Sequence, residues 1–306
     1  MEAAVVGARI AQFIASVILF GTPLFFLYGL RGSGAATLRW PRPLLAACAA
    51  VATVGAVASL LAQTATMAGD PAAAFDRETL ASVLNDSAFG VAILVRFGAS
   101  AAALIACLAL RRGSALWGLL TGLGAIVLAS FAWTGHGAAE DGPAGLIHAA
   151  ADVLHLLAAG VWLGALAALT LLLATSRRMD PAERTHALRD ALAGFSGVGS
   201  AVVAVILVTG LINSWFLVGP SHIWGMATSL YGVLLVVKVA LFAGMLGLAA
   251  ANRFVLTPDL ERGLAAHEPR RAVAALRRSV FLEAGGGMLI LILVSVLGTL
   301  APVSAQ

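Results

Sequence analysis

Eight stretches of more than twenty mostly apolar residues run through this chain, and they constrain its fold more than any motif does. They cover residues 9–30, 43–68, 88–110, 114–134, 146–174, 194–218, 226–251 and 279–301. Each is long enough to cross the hydrocarbon core of a bilayer as a helix, which takes about 20 residues. Of the 306 residues 60% are hydrophobic and 11% charged, and the mean hydropathy is +0.97. No water-soluble domain buries that much apolar surface. The expected class is all-α, a polytopic membrane bundle of about eight transmembrane helices forming a single domain over residues 1–306. The bilayer is therefore the first partner. A net charge of +4 and a pI near 9.8 do not point to nucleic acid, because the basic residues sit in short loops between spans.

The arginines orient the bundle. Fifteen of the nineteen basic residues fall in the first, third, fifth and seventh loops, whereas the even loops hold Arg77 alone beside Asp70, Asp76, Glu78, Asp86, Glu140 and Asp141. The positive-inside rule then predicts that both termini and the acidic even loops face outward, N- and C-terminus in the periplasm of a bacterial inner membrane. Arg9 precedes a full-length apolar span with no small-residue cleavage site close behind, so the N-terminus does not read as a cleavable signal. Cys48 and Cys107 both lie inside spans and form neither a disulfide framework nor a CxxC site. Nothing resembles a phosphate loop. The chain is expected not to be an enzyme.

The fifth span contains what an apolar helix should not. It reads LIHAAADVLHLLAAGVWLGALAALTLLL, and His148, Asp152 and His155 stand at i, i+4 and i+7, continued by Ala159 and Trp162 on one helical stripe. An acid at the centre of a membrane helix costs about 2.5–3.5 kcal/mol on insertion scales, so it marks a functional position. The predicted topology places His136, His222 and these two histidines at the outer ends of spans four to six, while His186 and His267 lie among charges in inner loops. Arg96 in span three and Lys238 in span seven cannot easily snorkel and are expected to face protein or water, paired with an acid, for which Asp152 is the candidate at comparable depth, or with backbone carbonyls. They either tie helices together or line a cavity. Glu283 is placed near the inner end of span eight, within reach of the interface by snorkelling. Gly118xxxGly122 and Gly160xxxGly164 read as faces for close helix packing.

Imidazoles and a carboxylate at one end of a bundle suit a transition metal, copper foremost. His136, His148, Asp152, His155 and His222 are the candidate ligands. Seven residues of helix rise about 10.5 Å, so His148 and His155 cannot share one small ion without bending. They either serve successive positions or leave Asp152 as an acceptor that orients a histidine. Met67 and Met226 near outer span ends, and Met245 and Met288 deeper, are possible thioether ligands for Cu(I) or simply core filling. Cys48 and Cys107 near inner span ends form an exit pair or remain inert thiols. The same histidines also fit a b-type haem, with Arg96 and Lys238 serving its propionates. No CxxCH motif marks a covalent haem.

Several stretches carry a resemblance in sequence order: FGVAILVRFG around Arg96, WTGHGAA at His136, HAAADVLHLLAAGVWLGAL, FSGVGSAVVAVILVTGLINSW and TSLYGVLLVVKVALFAGMLGLAAANRFVLTPDL, then the last span with Glu283 and Pro302. Together these resemble the copper-resistance D (CopD) family of bacterial inner-membrane proteins. The resemblance covers residues 85–302, with 192–302 its C-terminal core module. Ala165 departs from the WxGG pattern of that family, and no stretch resembles the soluble CopC-like domain fused to some members. The resemblance implies copper uptake or copper tolerance, and a periplasmic carrier of the CopC type as a partner. Within its motifs it carries over the polar positions Arg96, His136, His148, Asp152, His155, Asn213, Tyr231, Lys238, Asn252 and Arg253. The NRxxLxP run at Asn252 reads as a helix stop and interface anchor, with Pro258 ending the helix.

The leading expectation is an eight-helix copper transporter with an outer-face His/Asp site. The alternative is a haem b-binding redox protein that reduces metal or relays electrons. A third reading is a regulatory partner of a copper carrier without transport of its own.

Overall fold

A computed structural model describes residues 2–30, 38–134, 142–175, 181–266, 268 and 270–305. His136, Glu140, Asp141 and His267 lie outside the described residues. The expected all-α class holds, with no strand among the described residues. Eight helical stretches are long and apolar enough to cross a membrane. They are built on α1 (Glu2–Tyr28), α2 (Pro41–Ala68), α4 (Ala88–Ala109), α5 (Ser114–Ala129, prolonged by the 3-10 turn Ser130–Thr134), α6 (Gly142–Thr175), α7 (Pro181–Leu217), α8 (Leu230–Ala251) and α10 (Arg270–Leu297). Two short, more polar helices, α3 (Arg77–Asp86) and α9 (Thr257–Ala265), complete the set.

Helix α1 is the hub, packing on α2, α5, α6 and α10. Small residues let it come close. A Cβ on Gly21 would strike the Gly160 carbonyl and the Gly164 Cα, and Thr22 Oγ1 donates to the Gly164 carbonyl at 3.0 Å. Gly160xxxGly164 is thus the close-packing face that its spacing predicts. Gly118 and Gly122 are not, for nothing lies within 4 Å of where their Cβ atoms would be. They fall on the exposed face of α5, and Gly124, against the backbone of Leu19 and Phe20, takes the packing role instead. In a bilayer, where apolar burial between helices gains little, such contact is what holds helices together.

The loop segments follow local chemistry. Asp76 caps α3 by accepting from the Thr79 N–H at 2.9 Å, and with the Thr79 hydroxyl this holds its carboxyl below the ordinary carboxylate range. Ser87 caps α4 through the Gly90 N–H, and a Cβ on Gly90 would collide with the Val83 carbonyl, so the tight α3–α4 turn requires glycine there.

Several helices begin earlier than their apolar spans, α7 by most, at Pro181 rather than 194, and two boundaries bear on the site. The helix does not stop at Asn252: it widens into a π-helical turn, Asn252–Leu256, and continues as α9. Pro258 lacks an N–H and would clash with the carbonyl four residues before it in a regular α-helix. It sits in the first turn of α9, directly after the widened segment. Helix α10 begins at Arg270 rather than 279, which puts Glu283 about 20 Å along it by the rise per residue. Glu283 is fully buried against protein rather than reaching outward.

Helices α7 and α8 lie at the edge of the bundle. Leu207, Leu211, Trp215, Val236 and Val239 are exposed on their outer faces, as lipid-facing positions of a membrane helix should be. Their inner faces build the site.

Candidate functional site

The stripe on α6 opens into a cavity of about 190 Å³ bounded by α1, the end of α5 with its 3-10 turn, α6, α7, α8 and α10. His148, Asp152, His155 and Ala159 line its wall together with Asn213 of α7 and Tyr231 and Lys238 of α8. Helical period explains the convergence. Tyr231, Leu235, Lys238, Phe242 and Met245 recur at i, i+4, i+7, i+11 and i+14, placing one stripe of α8 inward.

Helix α7 meets α6 with a matching stripe. Thr209, Asn213 and Phe216 have the same i, i+4, i+7 spacing as His148, Asp152 and His155, and the two sets pair in opposite chain directions. His148 stacks on Phe216 with ring centroids 4.6 Å apart and planes 6° apart. Asp152 Oδ1 accepts from Asn213 Nδ2 at 3.4 Å. His155 Nδ1 lies 3.0 Å from Thr209 Oγ1.

Thr209 Oγ1 also lies 2.6 Å from the Val205 carbonyl and 3.3 Å from that of Ile206. With its one hydroxyl hydrogen on a carbonyl, its oxygen accepts from His155, which selects the neutral tautomer that carries the proton on Nδ1 and leaves the Nε2 lone pair available. That is how a metal-ligating imidazole is held in position by a partner behind it. His148 Nδ1 is buried without a hydrogen-bond partner, as is Asn213 Oδ1. Burying such an atom unpaired costs about 1–3 kcal/mol, which a ligand at His148 would recover. Asp152 interacts electrostatically with both Lys238 and Tyr231.

A second cavity, of about 210 Å³, adjoins the first across His155, Ala159 and Lys238 and is lined further along by Trp162 and Met245. A third, of about 250 Å³, begins on the other side of Trp162 and reaches Ser200, Asn252, Arg253 and Glu283. Glu283 ties three elements together there. Its Oε1 accepts from Trp162 Nε1 at 2.7 Å and its Oε2 from Asn252 Nδ2 at 2.8 Å. The three cavities follow α6 from the histidine end to the arginine-rich end.

The remaining positions separate. Arg96 does not face the histidine cavity. It is buried in an adjoining pocket, where Nε donates to Ser130 Oγ at 2.9 Å and Nη2 to Thr134 Oγ1 at 3.0 Å, with its guanidinium 3.7 Å above the Phe131 ring. Its partners are hydroxyls and an aromatic face rather than an acid or backbone carbonyls. His222 is exposed in the turn Pro220–Met226 and lines neither histidine cavity. Met67 is exposed, and Met226 packs against the cluster of Val218, Tyr231 and Leu235 without lining either histidine cavity. Met288 is exposed, and Met245 is the methionine on the cavity wall. Cys48 and Cys107 are free, buried thiols in the main core cluster. Among the described residues no group of three His, Cys, Asp or Glu side chains gathers closely enough to hold one metal ion. The sequence reading also passed over Thr209, Phe216 and Arg9, all of which touch or line the site. The repeat of α6's spacing on α7 is the signal that could have found the first two.

Two family profiles match: Copper resistance protein D-like, N-terminal domain, over residues 1–146, and Copper resistance protein D over residues 189–297. Copper resistance protein D of Pseudomonas syringae pv. tomato is 38% identical over 301 residues, spanning 97% of this chain and 96% of that protein. Inner membrane protein YebZ of Escherichia coli is 29% identical over 172 residues, 56% of this chain and 55% of its own. Copper transport protein CutJ of Bacillus subtilis is 36% identical over 137 residues, 44% of this chain and 24% of its own. No solved structure matches the chain.

Proposed function

Since the chain belongs to the copper resistance protein D family, we propose that it takes up copper ions at the histidine end of the bundle and passes them along α6 to the arginine-rich end. The bundle sits in the inner membrane as a multi-pass protein, the histidine end facing the periplasm and the arginine-rich loops the cytoplasm. The chain is a binding and transport protein, not an enzyme.

One observation carries this reading. His148, Asp152 and His155 line a single cavity, with the Nε2 of His155 left available and the Nδ1 of His148 unpartnered. Imidazole nitrogen is a good ligand for copper, and thioether sulfur selects Cu(I). A copper ion moves stepwise from His148 to His155 and then to Met245 in the adjoining cavity, consistent with the roughly 10.5 Å rise that keeps the two imidazoles from sharing an ion. Asp152 offsets part of the Lys238 charge that would otherwise repel a cation. Trp162, held by Glu283, closes the passage between the second and third cavities. A CopC-type carrier delivers copper to the outer face. Haem fits less well: among the described residues α6 alone brings histidines into the cavity, so two axial ligands from different helices are not supplied.

The test is copper accumulation in cells and in proteoliposomes for wild type and the His148→Ala/His155→Ala double variant, with membrane insertion checked on the same samples. Uptake that falls to background in a correctly inserted variant is the expected result. Unchanged uptake overturns the proposal, as would a red purified protein with a b-haem absorption band lost in the double variant.

A further inference from the structure

The pocket beside the histidine cavity is built around two cations, the buried Arg96 and the partly buried Arg9. Arg9 of α1 and Arg96 of α4 both line a space of about 100 Å³ between α1, α2, α4 and the Ser130–Thr134 turn. Arginine remains protonated in any such site. Arg96 is 2% exposed, and its partners, Ser130, Thr134 and the Phe131 ring, are all uncharged. The Nε of Arg9 is buried with no partner. Its guanidinium reaches across to α10, where a Cβ at Gly298 would collide with Nη2.

No described residue of the lining carries a negative charge to balance these. The polar groups around them are Gln12, Ser59, Gln63 and Thr66, all neutral. Among the described residues neither arginine forms an ion pair, and the two interact as like charges. Asp152 faces the neighbouring cavity, where it already interacts with Lys238. Arg9 lines both spaces. Across the two, among the described residues, three cations stand against one carboxylate. In a membrane-embedded segment an uncompensated charge is expensive, and such residues pair or meet a ligand of opposite sign.

We infer that Arg9 and Arg96 form a binding site for a small monovalent inorganic anion of the halide class. Most donors in the lining are already committed, Gln12 Nε2 to Ser59, Thr66 to the Ala62 carbonyl and Thr134 to the Phe131 carbonyl, which suits a halide better than a phosphate dianion, whose four oxygens call for many donors. A water beside the anion satisfies Gln12 Oε1, which is buried and unpartnered. The site stands on the arginines and does not depend on copper handling. Its consequence for the neighbouring cavity is electrostatic: an anion at Arg9 lowers the positive potential that a cation approaching Asp152 meets.

The experiment uses the full-length protein in detergent, exchanged into sodium gluconate at constant ionic strength. Chloride, bromide or phosphate is then titrated in while the thermal midpoint and the ³⁵Cl NMR linewidth are followed. Chloride and bromide should raise the midpoint saturably by several degrees, and the protein should broaden the chloride line, with bromide competing. Arg96→Gln should abolish both effects. If that variant does not fold, Arg9→Gln, at a less buried position, should weaken halide binding at least tenfold, and Arg96→Lys should retain part of it. Equal midpoints in gluconate and chloride overturn the inference. So does a response to phosphate alone, which would indicate a lipid headgroup, and so does halide binding unaltered in Arg9→Gln.

Discussion

Replacing Thr209 by valine tests the proton assignment at His155 without touching a proposed ligand. Valine keeps the branched shape and volume and removes only the oxygen that accepts from Nδ1. His155 then has a partly buried N–H with no partner, a loss of about 1–3 kcal/mol, and no longer a fixed tautomer. Substituting the group behind a metal-bound imidazole typically lowers metal affinity about 10–100-fold, equivalent to about 1.4–2.7 kcal/mol, so the two estimates agree. Thr209→Ser retains the oxygen and should stay close to wild type. The assay is competition for Cu(I) between purified protein and a chromophoric chelator of known affinity. An affinity of Thr209→Val within twofold of wild type would refute the assignment. So would an equal loss in Thr209→Ser, which would locate the effect in packing rather than in the hydrogen bond.

Two further outcomes are expected. Gly164→Ala forces a Cβ into the backbone of Gly21 and Thr22 and should destabilise the bundle by at least about 1–3 kcal/mol, seen as a lower thermal midpoint in detergent. Gly118→Ala, directed into open space, should leave the midpoint unchanged. Glu283→Leu strands the Trp162 and Asn252 donors at about 1–3 kcal/mol each, lowering the midpoint while Cu(I) affinity at the histidine cavity holds within twofold. Glu283→Gln should cost less, because Asn252 can turn its unpartnered Oδ1 to accept from the new amide. Equal losses in the two Glu283 variants would count against the hydrogen-bond account.

The eight spans were legible because a bilayer-crossing helix needs a long apolar run and nothing else in a soluble chain produces one. The α6 stripe was legible for a similar reason: polar residues in such a run are conspicuous, and their spacing already says that they share a face. The contents of the cavity follow the same logic only halfway. His148, Asp152 and His155 declare themselves, whereas Thr209 and Phe216 are ordinary residues for a membrane helix and acquire a role only when α7 lies against α6 in one particular register. No local pattern sets that register. It results from the packing of the whole bundle, with glycines at 21, 160 and 164 fixing how closely α1 and α6 approach.

Charge was the least legible property. The sequence shows that Arg96 and Lys238 stand inside long apolar spans, but which side chains answer them depends on helix neighbours. Tertiary structure gave Lys238 to Asp152 and set Arg96 among hydroxyls with Arg9 beside it. Glu283 shows the same division. The sequence located an acid on the last span, but the approach of Trp162 on α6 and of Asn252 in the widened turn decided that it is buried and paired. Hydropathy is a sum along the chain and can be read from it. Burial and pairing are relations between segments far apart in sequence, and they exist only once the helices have packed.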